Sequence, residues 1–309
     1  MAAGAGDAEG GRARPPARHL GRGRRPLKAP EHAGFGLALG GGFLRGLAHL
    51  GVLGGLAEAG LRPGWMAGTS AGAIAAAFAA FGHSAEETEE ALEELGWGSI
   101  SKGRPRKLGL STNQGLEDLL VGALGDVRIE DADVPLAVVA TDINTGNRVL
   151  LDRGPVARAV RASCCVPGLY APVEIGGRLL VDGGLTENVP ARAVREMGAP
   201  LVVAVSLGFS LPYDQVKSLT QVMANAWDIA THSQMRFEIL AEADLLLDPD
   251  LDRFSPFRDG NRAAIVHAGR ERTEQALPAL LELLAPDEED SVIARWMQAV
   301  KDRLAAAAG

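Results

Sequence analysis

Cysteine and histidine are scarce in this sequence, and their scarcity limits the chemistry that the chain can perform. Two cysteines occur in 309 residues, and they are the neighbours Cys164 and Cys165. Because adjacent cysteines cannot link distant segments, we expect no disulfide framework and a reducing compartment, the cytoplasm. The six histidines and two cysteines show no spacing typical of metal ligands, so we predict no metal site.

The chain also shows no apolar segment suited to export or to membrane spanning. Residues 1–33 contain no hydrophobic core of the kind that a secretory signal requires, so we expect no signal peptide. The longest stretch without formal charge, residues 63–85, has the length of a membrane span but is dominated by alanine and glycine. We therefore predict that this stretch is buried in a globular domain.

Charge is distributed unevenly along the chain. Residues 1–33 carry seven Lys or Arg and three acids, whereas the remaining residues carry 24 basic and 36 acidic side chains. With this excess of acidic side chains, residues 34–309 are poorly suited to neutralising phosphates, which argues against nucleic acid as a partner. We interpret residues 1–33 as a disordered basic leader, with contact to anionic lipid or RNA as the alternative.

Glycine is the residue present in excess. The chain has 39 glycines, and thirteen of them lie within residues 34–72. Average usage of about 7% would put roughly three there. Because glycine weakens helices and strands, this density predicts that the backbone itself serves the function of the segment.

The apolar pattern predicts a fold in which strands alternate with helices. Residues 33–39 and 65–67 read as short buried strands, and each is followed by a glycine-rich loop and a helix. Further strands are predicted at residues 134–141 and 201–207, and Gly176-Gly177 indicates a hairpin. This order is typical of a three-layer α/β/α domain with a mainly parallel central sheet.

The pentapeptide Gly68-Thr69-Ser70-Ala71-Gly72 has the G-x-S-x-G pattern of a nucleophile elbow. A serine on a sharp strand-to-helix turn needs small neighbours on both sides, which Gly68 and Gly72 supply. The following helix would present amide donors and a positive dipole end to an anionic intermediate. Ser70 is therefore the candidate nucleophile.

A second glycine-rich loop spans residues 40–46. Its glycines do not fit a dinucleotide fingerprint, because Gly40, Gly42 and Gly46 are one residue too widely spaced, and it lacks the G-K-[ST] end of a P-loop. Consecutive glycines suit an oxyanion hole, in which backbone N–H groups converge on an alkoxide. The alternative is a tight packing turn between a strand and a helix.

A nucleophilic serine also needs a base, and histidine is one candidate. The chain order Ser, acid, His of α/β-hydrolases would leave His232 or His267. The other four histidines are less suitable because of their positions, in the leader, in an apolar helix or at the far end of the elbow helix: His19, His32, His49 and His83.

Asp182 is the other candidate base. It ends a predicted strand and is followed by Gly183 and Gly184, which leave space for a substrate. An ordinary aspartate is about 2.6 pK units less basic than histidine. A water-poor site would offset part of that difference.

Three motifs in this order resemble the patatin-like phospholipase family, in its bacterial branch related to neuropathy target esterase. They are the Gly40–Gly46 loop, the elbow around Ser70 and Asp182-Gly183-Gly184. The similarity extends over residues 34–210 and includes Arg161-Ala162-Ser163.

The resemblance implies a Ser–Asp dyad, with Ser70 as nucleophile and Asp182 as base. It implies an oxyanion hole formed by the amides of Gly40, Gly41 and Gly42, in a loop that Arg45 helps to fix. The implied reaction is hydrolysis of a lipid acyl ester, of the phospholipase A or lysophospholipase type, through an acyl-serine and without a cofactor. Phe43 departs from the small residue common in the family, which leaves open which amides face the site.

We predict three regions and retain two alternative functions. The regions are the leader 1–33, a patatin-like acyl hydrolase domain 34–285 and an amphipathic C-terminal helix 286–309, which packs on the domain or makes a peripheral membrane contact. The first alternative function is an α/β-hydrolase with a Ser-His-Asp triad. The second is a catalytically silent lipid-binding regulatory module.

Overall fold

The computed structural model describes residues 34–93, 100–102, 108–208, 241–255 and 261–285, together with positions 222, 225, 226 and 229. The predicted leader 1–33, the predicted C-terminal helix 286–309 and His232 lie outside the described residues.

A mixed sheet with a parallel centre forms the middle of the molecule, as the sequence predicts. Strands β1, β2, β3, β7 and β8 pair in parallel, whereas β4, β5 and β6 pair antiparallel with their neighbours. Hydrogen-bonded neighbours follow one another in the series β5-β6-β3-β2-β1-β7-β8, and β4 also pairs with β3. The strand bounds are β1 Gly36–Leu39, β2 Trp65–Thr69, β3 Leu136–Asp142, β4 Arg148–Leu151, β5 Val173–Ile175, β6 Arg178–Asp182, β7 Val202–Val205 and β8 Leu245–Leu247.

Helices cover both faces of this sheet, and the apolar strands are buried on both sides, as parallel sheets require. One face packs against α1, α2 and α7, and the other packs against the short helix α6 and the residues before it. The helix bounds are α1 Ala48–Glu58, α2 Ala71–Ala80, α3 Ala85–Glu93, α4 Gln114–Leu124, α5 Val156–Ser163, α6 Ala191–Glu196 and α7 Arg262–Leu283. Short 3₁₀ turns occur at Phe43–Leu47, Ile129–Asp131 and Gly183–Leu185. The α/β/α prediction is therefore confirmed.

Strand β3 brings two distant segments together, because β2 and β6 share one of its edges. β2 pairs with β3 up to Thr69 opposite Val139, and β6 pairs with the next residues, with Asp182 opposite Ala140. β4 pairs with residues 138–141 of β3 and so occupies the other edge. β2 and β6 run towards each other, and their carboxyl ends meet beside Val139 and Ala140.

Some of the glycines in residues 34–72 serve helix packing, which the sequence interpretation did not foresee. Gly51 lies where α1 crosses α7, and a Cβ there would overlap the Val266 carbonyl and lie 2.6 Å from the Arg270 amide nitrogen. A Cβ on Gly269 of α7 would likewise overlap the Ala48 carbonyl. Glycines on both helices therefore let the two backbones touch.

The described helices include none that is both long enough and apolar enough to cross a membrane.

We expect Gly51→Ala to lower the free energy of unfolding by about 2–3 kcal/mol, because a methyl group there meets backbone atoms that cannot rotate away. Gly122→Ala is the matched control, since Gly122 also lies in a helix but has open space around it. The free energy of unfolding of this control should rise by about 0.5–1 kcal/mol, because alanine is a better helix former than glycine. Denaturant unfolding measures both changes, and equal stability of the two variants would contradict the close helix crossing.

Candidate active site

Ser70 lies at the sharp turn between β2 and α2. Its backbone has φ 52° and ψ −119°, a left-handed conformation that is uncommon for a residue other than glycine. Small neighbours make the turn possible: a Cβ on Gly68 would lie 2.6 Å from the Ala73 amide nitrogen, and one on Gly72 would overlap the Leu39 carbonyl. The strained serine is therefore held by close backbone packing on both sides.

Ser163 anchors this turn from the end of α5. The Ser70 N–H donates to Ser163 Oγ (2.8 Å), and the Ser163 hydroxyl donates to the Val139 carbonyl on β3 (2.6 Å). Ser163 is fully buried. Sequence reasoning included it in the family resemblance but assigned it no role, because a contact across such a separation leaves no local signal.

Asp182 ends β6 and faces Ser70. The residue is 3% exposed, and its Oδ1 accepts from the Gly184 N–H (2.9 Å). Burial raises the pKa of Asp182 from 3.8 to about 7, although the Gly184 N–H and the neighbouring Ser70 side chain favour the ionised form. At this pKa, the Asp182 carboxylate is about as basic as an ordinary histidine.

The loop that begins at Gly40 lies beside Ser70, but two of its three predicted donors are directed into the fold. The Gly40 N–H donates to the Val205 carbonyl and the Gly41 N–H to the Asn188 carbonyl, both at 3.1 Å. The Gly42 N–H makes no hydrogen bond to any described residue. Of the three predicted oxyanion donors Gly40, Gly41 and Gly42, only the Gly42 N–H therefore remains a candidate.

Arg45 ties this loop to two other segments. Its side chain is 3% exposed, Nε donates to the Phe254 carbonyl (2.9 Å), and Nη1 donates to the Leu207 carbonyl (3.3 Å). These bonds connect the loop to the segments that follow β7 and β8.

The described histidines make contacts away from the Ser70 hydroxyl. His49 is buried in α1 and bonds to the Gly40 carbonyl, and the ring of His83 packs edge-to-face on Phe78. His267 is exposed on α7. Among the described residues, both Asp182 and Cys164 lie next to the Ser70 side chain. Burial raises the pKa of Asp182 to about 7 and the pKa of Cys164 well above its ordinary value.

Ser70 opens into an apolar cavity of about 170 Å³. An apolar cavity of similar size, about 150 Å³, holds a benzene molecule. Helices α1, α2, α3 and α4, the start of α7 and the segment after α5 contribute its walls. The lining side chains include Leu50, Ile74, Leu92, Leu116, Val166, Tyr170 and Arg262.

Arg161 holds the wall helix α4 in place. Its Nη1 pairs with Glu117 (2.6 Å), its Nε donates to Asn113 Oδ1, and its carbonyl accepts from Asn113 Nδ2 (2.8 Å). Leu116, which lines the cavity, lies on the helix that Arg161 fixes. Cys164 also lines the cavity beside Ser70, and burial raises the pKa of its thiol well above the ordinary value.

Among the described residues, no group of three or more His, Cys, Asp or Glu side chains is arranged to hold a metal ion. The cavity walls are suited to an apolar chain, and Ser70 and Asp182 place a hydroxyl beside a buried carboxylate.

Several known proteins are similar to this chain. A mycobacterial protein described as an uncharacterized NTE family protein, from Mycobacterium tuberculosis, is 38% identical over 181 residues, covering 56% of this chain and 49% of its own length. A second such protein of that species is 33% identical over 277 residues, covering 81% and 47%. Patatin-like phospholipase domain-containing protein 6 of Mus musculus is 34% identical over 180 residues, covering 56% and 13%.

The chain spans about half the length of the mycobacterial relatives it matches. Among solved structures, VipD from Legionella pneumophila aligns with a TM-score of 0.54 at 17% identity, covering 82% of this chain and 68% of that one, a likeness of fold alone. Residues 37–195, half of the sequence, match the family profile described as patatin-like phospholipase. With this match and the Ser70 elbow in its fold, the chain belongs to the patatin-like phospholipase family.

Proposed function

We propose that this protein hydrolyses acyl esters of lipids, as a phospholipase A or lysophospholipase, with Ser70 as nucleophile and Asp182 as base. The observation that carries the proposal is a buried carboxylate, that of Asp182, whose pKa burial raises to about 7 and whose ionised form the neighbouring Ser70 side chain favours. A base with a pKa near the working pH accepts a proton and returns it with little energetic penalty.

The first half of the reaction acylates Ser70. Asp182 takes the hydroxyl proton as Ser70 Oγ bonds to the ester carbonyl carbon, and the carbonyl electrons move to its oxygen. The Gly42 N–H and the first amides of α2 are the donors that would stabilise this oxyanion. When the intermediate collapses, the bond to the alcohol breaks and the departing oxygen takes the proton from Asp182.

The second half of the reaction releases the fatty acid. Asp182 removes a proton from water, the hydroxide oxygen bonds to the acyl carbon, and Ser70 leaves with the proton that Asp182 returns. Both carboxylate and hydroxyl are regenerated, so these steps need no cofactor.

The cavity supports a lipid acyl chain as the substrate group. Its walls are mainly aliphatic and aromatic, and Ser70 lies at its surface. Leu108 and Leu110, which are 60% and 52% exposed, adjoin the same wall because the Leu110 N–H donates to the Gly168 carbonyl two residues before Tyr170. Exposed apolar side chains beside the cavity suit a substrate presented in a lipid aggregate.

We expect a fluorophosphonate probe to label Ser70, as mapped by mass spectrometry of the adduct. Labelling and ester turnover should survive His232→Ala combined with His267→Ala and disappear in Ser70→Ala. Loss of turnover in a histidine variant would favour the triad. An unlabelled wild-type chain that turns over no acyl ester would leave only the silent lipid-binding module.

We expect kcat/KM for a soluble ester to rise with pH and to level off above an apparent pKa of about 7, because only the ionised Asp182 can accept the proton. Below that pKa the rate should fall about tenfold per pH unit. Initial rates measured at a series of pH values between 5 and 9 give the profile, and a flat profile would exclude Asp182 as the base.

We expect Asp182→Asn to abolish turnover while stabilising the fold at alkaline pH. The folded protein holds the Asp182 proton up to about pH 7 whereas the unfolded chain releases it near pH 4, so wild-type stability falls across that window as pH rises. The variant has no such proton to release. Its free energy of unfolding should therefore exceed that of wild type by about 2–4 kcal/mol at pH 8 and by little at pH 4.

Urea unfolding at both pH values measures the difference. Asp152→Asn, which removes an exposed carboxylate, is the control for a change of net charge. A variant whose stability tracks wild type at every pH would contradict a raised pKa for Asp182.

A further inference from the structure

We propose that His49 is a positioning residue that holds the peptide group between Gly40 and Gly41 and so directs the Gly42 amide towards the reacting carbonyl. This inference rests on the proposed function, because it assigns a supporting group to the oxyanion loop of that reaction. It gives a role to a buried polar side chain that the Ser70–Asp182 chemistry leaves unused.

The hydrogen bond from His49 is short and enclosed. Nε2 lies 2.7 Å from the Gly40 carbonyl oxygen, and the residue has no exposed surface. A carbonyl can only accept, so Nε2 carries the proton and Nδ1 does not. Nδ1 is buried without a hydrogen-bond partner among the described residues, which leaves this tautomer with one task, to donate to Gly40.

The bond immobilises one end of a peptide group whose other end is also held. The Gly40 carbonyl accepts from His49, and the amide of the same peptide group, the Gly41 N–H, donates to the Asn188 carbonyl. With both ends bonded, this peptide plane cannot rotate. The next amide along the chain is that of Gly42, so holding this plane limits the directions that the Gly42 N–H can take.

Another donor has little access to the Gly40 carbonyl. A Cβ on Gly72 would lie 2.7 Å from its oxygen, so the start of α2 packs directly on this side of it. A buried carbonyl that loses its donor is left unsatisfied, which favours rotation of its peptide group. Glycine neighbours on both sides offer little steric resistance to that rotation.

His49 is suited to this task and unsuited to being the base. Burial lowers the pKa of His49 to about 4, so the ring stays neutral throughout the range in which Asp182 would act. Its proton-bearing nitrogen faces the Gly40 carbonyl and not Ser70. The 3₁₀ turn Phe43–Leu47 folds the chain back, so that the second residue of α1 faces the beginning of the loop.

His49→Gln and His49→Met form the matched pair that tests the inference. Glutamine and methionine have the same length, but only glutamine presents an N–H at the position of Nε2. With a soluble short-chain ester, we expect His49→Met to lower kcat about 10- to 100-fold with KM changed less than threefold. The reason is that the Gly42 N–H would be misdirected while the cavity that binds the ester is unchanged. His49→Gln should stay within about fivefold of wild type.

Hydrogen exchange of a peptide covering residues 40–43 supplies a readout that does not depend on turnover. Exchange should be faster in His49→Met than in wild type and should return to the wild-type rate in His49→Gln. This measurement also decides the case if His49→Met is too unstable for kinetics, since His49→Gln alone must then keep both the rate and the protection.

The inference is overturned if His49→Met turns over ester at the wild-type rate, or if His49→Gln loses as much kcat as His49→Met. In either case wild type still hydrolyses ester and the proposed function stands. A wild-type chain with neither turnover nor Ser70 labelling overturns the proposed function itself, a result that differs from both.

Discussion

The meeting of two strand ends on one edge of β3 is the constraint on which the candidate site depends. β2 ends opposite Val139 and β6 ends opposite Ala140, so the chain leaves the sheet twice at almost the same point. Ser70 follows the first strand end and Asp182 forms the second. Because a parallel and an antiparallel partner share that edge, two segments far apart in the sequence deliver their side chains to each other without a loop having to reach across.

The same arrangement sets the electrostatics of Asp182. A carboxylate enclosed by three strands and a helix start is poorly hydrated, which disfavours its charge and raises its pKa. The Gly184 amide and the Ser70 hydroxyl return only part of the lost hydration. A carboxylate that is costly to ionise is also a stronger base, so local instability and reactivity have one cause.

Much of the architecture could be predicted from the sequence, whereas the details of the site depend on distant partners. Apolar runs and glycine punctuation predicted β1, β2 and the turn at Ser70, since these are local patterns. The engagement of the Gly40 and Gly41 amides could not be predicted, because their acceptors, Val205 and Asn188, lie far along the chain. Composition also could not separate glycines in a loop from those, such as Gly51, that allow two helices to touch. The roles assigned to Ser70 and Asp182 remain predictions.

Helix α5 links the cavity to the nucleophile mechanically. Its last turn carries Arg161, which forms an ion pair and hydrogen bonds with α4 and the residue before it. Two residues after Arg161, Ser163 accepts a hydrogen bond from the Ser70 N–H. The same short helix therefore contacts both α4, which lines the cavity, and the turn at Ser70. One short helix therefore connects the wall of the cavity with the backbone that carries Ser70.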